Sequence, residues 1–151
     1  MKTVINTPNA PAPIGPYSQA ILANGMLFIS GQIAIVPETG EIEVSNVDAE
    51  AQQVMKNLRA ILTDAKLGFE NVVKTTILLS SMDLFARVNA VYGSCFTDNF
   101  PNAFKLLTTL DKIRCDNCTA LSDRLPEPMR IATNSASLKT CLPFSISFSR
   151  G

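Results

Sequence analysis

Apolar residues along this chain recur at spacings that assign most of its elements. Val47, Ala51, Val54, Leu58, Ile61 and Ala65 follow one another at intervals of 4, 3, 4, 3 and 4. That spacing tracks the 3.6-residue turn and lays one apolar stripe along a helix, predicted from about Asn46 to Leu67. Ser45, with Asp48 three positions on, is the expected N-cap. Gly68, after Lys66-Leu67, suits the left-handed position that closes a helix. The run 72–79 is rich in β-branched residues and too short for a helix, which predicts a strand. A second helix is predicted from about Asp83 to Asn99, turning Phe85, Val88, Tyr92 and Phe96 inward at intervals of 3, 4 and 4.

Upstream of the first helix, two apolar-rich runs, 17–22 and 26–30, flank Asn24-Gly25. This is a strong hairpin signal, because both central residues of a type I′ turn need positive φ. Gly31, inside the second run, marks a bulge or a close backbone approach. Pro37-Glu38-Thr39-Gly40 supplies another turn. The order β-β-α-β-α predicts an α+β domain whose two helices cover one face of a mixed or antiparallel sheet. Beyond Pro101 the pattern weakens. Residues 104–110 suit either a strand or the start of a helix, and 111–151 sustain no period of 2 or 3.6. The exception is Phe144-Ser145-Ile146-Ser147-Phe148, which alternates as a strand does.

The chain has 151 residues, 46% of them hydrophobic, and one compact domain is the expectation. It contains no His. Ser-His-Asp and Cys-His catalysis, His-ligated zinc and an imidazole base are therefore excluded. Formal net charge is zero, so no global basic field draws the chain to nucleic acid or an anionic membrane. The charge is uneven: residues 1–101 carry six basic and nine acidic side chains, whereas 102–151 carry seven and four. No apolar run approaches the roughly 18 residues of a membrane span, and the N-terminus lacks a signal-peptide core. A cytoplasmic location follows, where thiols stay reduced and the four Cys imply no disulfide framework. Cys115-Asp116-Asn117-Cys118 has metal-ligand spacing. A closed structural zinc site needs four ligands, however, and only Cys95 and Cys141 remain to complete it. No metal site is expected, and Cys95 reads as a small buried apolar residue. Glu38, Glu41 and Glu43, around a turn, form a solvated acidic rim.

Several segments closely resemble the reactive intermediate deaminase (Rid, or YjgF-like) family. They are Ile14-Gly15-Pro16-Tyr17-Ser18-Gln19-Ala20, Ser30-Gly31-Gln32-Ile33, residues 51–58, Val73-Lys74-Thr75-Thr76, and residues 85–92 through Phe100-Pro101. The resemblance implies a chorismate-mutase-like α+β fold, assembled as a homotrimer with clefts between subunits. It implies hydrolysis of short-lived enamines and imines to 2-keto acids and ammonia, a 2-iminobutanoate/2-iminopropanoate deaminase activity that needs no cofactor. An imine carbon is already electrophilic, so a site need only hold the substrate and position water. Carried over residue by residue, the resemblance gives Tyr17 and Asn89 catalytic roles and places Ser30 and Gly31 against the substrate. Read without it, Tyr17 is an interfacial aromatic, Asn89 a solvent-facing helical residue, and Ser30-Gly31 a strand and its bulge.

The resemblance stops at Pro101. The family's carboxylate-binding Arg, in a Phe-Pro-Ala-Arg pattern, is absent from Phe100-Pro101-Asn102-Ala103-Phe104-Lys105, and no Val-Glu-Ile segment follows. Lys105 and Arg114 are candidate replacement cations, but Lys lacks the fork that matches a carboxylate. An abrupt end of this kind is what a frameshift, splice variant or gene-model junction produces, which divides the chain into a Rid-like part, 1–101, and a non-matching segment, 102–151. Two functions follow: an imine deaminase, or a non-catalytic Rid-like ligand-binding protein. Replacing the last strands should also leave unpaired sheet edges, unless 104–110 and a later run within 142–148 form strands of their own.

Overall fold

A computed structural model describes residues 1–97, 99–107 and 144–148, with 104–107 and 144–148 given by their backbone. Six strands form one sheet: β1 (Lys2–Ile5), β2 (Ala20–Ala23), β3 (Met26–Gln32), β4 (Val72–Leu79), β5 (Asn102–Leu107) and β6 (Phe144–Phe148). Their order is β1-β2-β3-β6-β4-β5. All neighbours are antiparallel except β4 and β5, which run parallel with Lys74 opposite Asn102. Two helices, α1 (Val47–Asp64) and α2 (Phe85–Gly93), pack on one face, giving the expected α+β domain. The strand β1 was not expected from the sequence; its Thr3-Val4-Ile5 pairs with residues 20–22 of β2.

The hairpin forms as its turn residues require. Asn24 and Gly25 have φ of 50° and 73°, the two positive values of a type I′ turn. The pairing of β3 with β6 shifts register between Ile29 and Gln32, so Gly31 lies in a bulge. On α1, Val47, Ala51, Val54, Leu58 and Ile61 are all buried, facing Leu27 and Ile29 of β3 and Ile77 and Leu79 of β4 in one core. Asn57, also buried, donates through Nδ2 to the carbonyls of Ile33 (3.1 Å) and Ile35 (2.9 Å), and accepts from Gln53 Nε2 at 2.9 Å. This network ties the segment that follows the Gly31 bulge to the helix.

The helix ends differ from expectation in instructive ways. Asn46, not Ser45, caps α1, accepting from the N–H groups of Asp48 and Ala49 at 3.0 Å each. Ser45 instead donates both its N–H and its hydroxyl to Glu43, which holds the Glu43 carboxyl below its ordinary pKa. At the other end Lys66, not Gly68, takes the left-handed conformation, with φ of 61°. Leu67 N–H bonds Leu62 carbonyl at 2.9 Å and Lys66 N–H bonds Thr63 carbonyl at 3.0 Å, the paired closure of a Schellman motif. The helix is therefore finished before Gly68, whose backbone is extended and whose N–H donates to Asn71 Oδ1 at 2.9 Å. The helix α2 is shorter than predicted: Met82–Leu84 is a 3₁₀ turn, and the helix stops at Gly93. Phe96 lies beyond it yet remains buried, with Phe69 packed edge-on and Tyr92 tilted against it at ring separations of 5.3 and 4.8 Å. Tertiary packing, rather than helical phase, turns it inward.

The expectation of unpaired edges is overturned for β3 and β4. The alternating segment Phe144–Phe148 inserts between them, pairing Ile146 with Ile29 on one side and with Thr75 on the other. Asn102–Leu107 is a strand, which resolves the strand-or-helix ambiguity for 104–107, while 108–110 lie outside the described residues.

Candidate functional site

A tight bend carries the chain into β2. Tyr17 N–H donates to Gly15 carbonyl at 2.8 Å across Pro16, a three-residue turn that the fixed φ of proline suits. The ring of Tyr17 then folds back against Gly15, where a Cβ would sit 3.4 Å from ring atom Cε1. Tyr17 Oη accepts from the N–H of Ile14 at 3.3 Å. With that lone pair engaged, the phenolic proton remains available for donation. Ser30 shows the opposite balance. Its Oγ donates to Ser18 carbonyl at 2.6 Å and its N–H to Gln19 carbonyl at 3.0 Å. Its hydroxyl proton is committed, which leaves the oxygen's remaining lone-pair capacity to accept.

These two side chains, thirteen positions apart in sequence, line one cavity of about 390 Å³. Ile21 and Phe28 supply apolar wall, Ser18 a further hydroxyl, and Lys2 a cation. On the other side of Tyr17, a recess of about 40 Å³ brings it together with Gly31, Gln32 and Pro11. The tyrosine thus divides two spaces, one bounded by Ser30 and the other by Gly31. Three of the four residues singled out in the sequence converge here.

Asn89 does not join them. It is exposed on α2, within the helical layer, and it lines neither space around Tyr17. Its helix is anchored beside it: Arg87 donates to both carboxylate oxygens of Asp48, at 2.6 Å in the closest contact. Those hydrogen bonds from Arg87 hold the Asp48 carboxyl below its ordinary pKa. Lys105, considered as a replacement cation, sits on β5 opposite Ile77, three strands from β3 in the sheet. Arg114, Cys115, Cys118 and Cys141 lie outside the described residues. Among the described residues, no three His, Cys, Asp or Glu side chains are grouped to hold a metal, and no helix is long and apolar enough to cross a membrane.

Sequence reasoning missed Gln19. Its side chain is 2% exposed; Nε2 donates to the carbonyls of Thr7, Ala10 and Pro11, and Oε1 accepts from Thr7 N–H at 2.6 Å. The proline-rich leader wraps around this one amide, which fixes the wall of the smaller recess. The available signal was a leader with three prolines in six residues, whose free carbonyls must find donors from outside the segment.

A sheet with two helices on one face and a tyrosine-bordered cavity at the β2–β3 hairpin make a small α+β domain of the kind expected from the Rid resemblance. Comparison with known proteins agrees. The family model described as Endoribonuclease L-PSP matches residues 7–109, running past Pro101, and the chain belongs to this family, the Rid or YjgF-like family. A RutC family protein of Synechocystis sp. is 54% identical over 96 residues, 63% of this chain and 74% of that protein. The human 2-iminobutanoate/2-iminopropanoate deaminase is 46% identical over 101 residues, 67% of this chain and 74% of the human protein. Among solved structures, E. coli TdcF with bound serine superposes with a TM-score of 0.75 at 27% identity, covering 99% of each chain.

Proposed function

We propose that this protein hydrolyses short-chain 2-imino acids and their enamine tautomers to 2-keto acids and ammonia, at the cavity that Tyr17 and Ser30 share. The carrying observation is that convergence: a hydroxyl with a proton to give and a hydroxyl with lone pairs to accept border one space with an apolar wall. Water added to the imine carbon gives a carbinolamine, and its collapse expels ammonia and leaves the keto group. Tyr17 and Ser30 orient the water and the polar end of the substrate, while Ile21 and Phe28 take its short alkyl part. The similarity to a human protein named for this reaction supports the reading, as does bound serine, an amino acid with a carboxylate, in a protein of the same fold. The residues that bring this about need no organic cofactor, because the substrate supplies its own electrophile.

Asn89 enters the reading through assembly. Tyr17 and Asn89 border no common space in one chain, so a site using both is completed between copies, in the clefts of a homotrimer. Val4 and Phe28, 48% and 45% exposed on the sheet face opposite the helices, provide apolar surface for that contact. The absence of an Arg at the family position after Phe100-Pro101 favours slower turnover than in a relative that has it, and it keeps the second reading, a ligand-binding protein without catalysis, in play. Residues 102–105 lack the Phe-Pro-Ala-Arg pattern although the family match runs on to residue 109, which supports a junction in the coding sequence within the segment that follows Pro101; translation of the region in the other two frames tests it through recovery of a Phe-Pro-Ala-Arg continuation.

Purified protein coupled to a threonine or serine dehydratase, with keto-acid release followed in time, tests the catalytic reading. Acceleration over the dehydratase alone is expected, with Tyr17→Phe and Asn89→Ala each slowing it by at least about tenfold and chelators having no effect. Unchanged rates in both variants, or loss of activity on chelation, would refute it.

A further inference from the structure

The sequence lacks an arginine at the family position after Phe100-Pro101, yet the described lining of the cavity bordered by Tyr17 and Ser30 includes a cation. Lys2 lies on the edge strand β1, opposite Ala23, on the same side of the strand as Val4. Val4 pairs with Ile21, which pairs with Phe28, so the strand alternation puts Lys2 on the face that carries the cavity wall. The lysine lines that cavity together with Tyr17, Ser18 and Ser30.

Among the described residues the other basic side chains are paired or lie elsewhere, Lys74 being on β4, two strands from β3 and outside the cavity lining. Arg87 is paired with Asp48. Arg59 stacks over the ring of Phe69 at 5.3 Å, and Arg59, Lys56 and Lys66 line another hollow, beside α1. Lys2 forms no ion pair among the described residues. Among the described residues, no carboxylate lines the cavity to compete for it.

We propose that Lys2 is the carboxylate-binding cation of this cavity, so that the ligand it takes is a short 2-oxo or 2-imino carboxylate with its charge toward β1 and its alkyl group against Ile21 and Phe28. This deepens the proposed function and rests on it for the identity of the substrate, but the recognition of a small carboxylate stands on the cavity alone. A lysine on a flexible stem supplies a point charge without the two parallel bonds of an arginine. It therefore orients a carboxylate less strictly, which predicts a broad tolerance of alkyl groups and a KM that rises steeply with ionic strength.

The test is binding of sodium 2-oxobutanoate to the full chain by titration calorimetry, with wild type, Lys2→Met, Lys2→Arg and the surface control Lys66→Met compared at low and moderate salt. Wild type and Lys66→Met are expected to bind alike. Lys2→Met is expected to bind about tenfold or more weakly, having lost a charge-assisted contact, and to lose most of its salt dependence. Lys2→Arg should retain or improve affinity. In the dehydratase-coupled assay the same loss should fall mainly on KM. Equal affinity in wild type and Lys2→Met, or no saturable binding by wild type, overturns the inference. If Lys2-dependent binding is found without turnover, the catalytic reading fails and this one stands; if turnover is found with KM indifferent to Lys2, the reverse holds.

Discussion

The two faces of the sheet are built from the same strands and have opposite fates. Toward the helices, Leu27 and Ile29 alternate inward from β3 and Ile77 and Leu79 from β4, and each is at most 3% exposed. On the other face Val4 and Phe28 remain about half exposed, interleaved with Lys2, Ser30 and the ring of Tyr17. The helical face satisfies itself within one chain, by close packing. The open face is apolar enough to want cover and polar enough to hold a charged ligand, and Tyr17, Ser30 and Lys2 border their cavity there, whereas Asn89 lies in the helical layer. On the proposed reading, stability and function fall to alternate residues of the same strands, so a substitution one position along should exchange one kind of defect for the other.

The largest expected contrast is between Leu58→Ala and Phe28→Ser. Leu58 is wholly buried on α1, and its truncation should cost about 2–5 kcal/mol in urea unfolding, with cavity-dependent spread. Phe28→Ser should cost well under that in a single chain, yet shift the proposed trimer toward smaller species in light scattering. Similar unfolding losses in both would mean that the two faces are equivalent. Gln19→Ala sits at the junction between them. It strands several buried main-chain partners in the leader, so a loss of about 1–3 kcal/mol is expected, with faster amide exchange concentrated in residues 7–11. Exchange rising uniformly instead would argue against a local latch.

Smaller effects sharpen the account of the helical face. Asn46→Ala removes the cap that serves Asp48 and Ala49 and should cost about 1 kcal/mol, whereas Ser45→Ala should change helix stability little. Equal losses would restore the cap assignment made from sequence. At high pH, Tyr92 contributes a slope. Burial raises its phenol above the ordinary value of 10.0, an effect that the Thr75 hydrogen bond at 2.9 Å partly offsets. The folded state therefore binds the proton more tightly than the unfolded chain. Stability from this group is full below pH 10 and declines as pH rises toward the folded value. Tyr92→Phe should flatten that decline in melting temperature; an unchanged slope would assign it to other groups.

Local signals determined a good deal on their own. The 3.6-period stripe located α1, positive φ at Asn24-Gly25 made the hairpin, and the β-branched run of 72–79 made the strand β4, because each depends on contacts a few residues apart. The motifs around Tyr17 and Ser30 were legible as residues belonging together. What sequence left open were features set by distant partners. It did not foresee β1, which exists by pairing with β2, nor the closure of α1 at Lys66, nor the burial of Phe96 beyond the end of its helix. It did not reveal that Gln19 organises the leader, since an amide's role depends on which carbonyls the fold brings to it. Phe144–Phe148 carried a strand period, but only the sheet decided that it should lie between β3 and β4, at a separation from both that no local rule spans. The placement of Lys2 is of the same kind: its charge was written at the second position of the chain, and its neighbours were chosen by the register of β1 on β2.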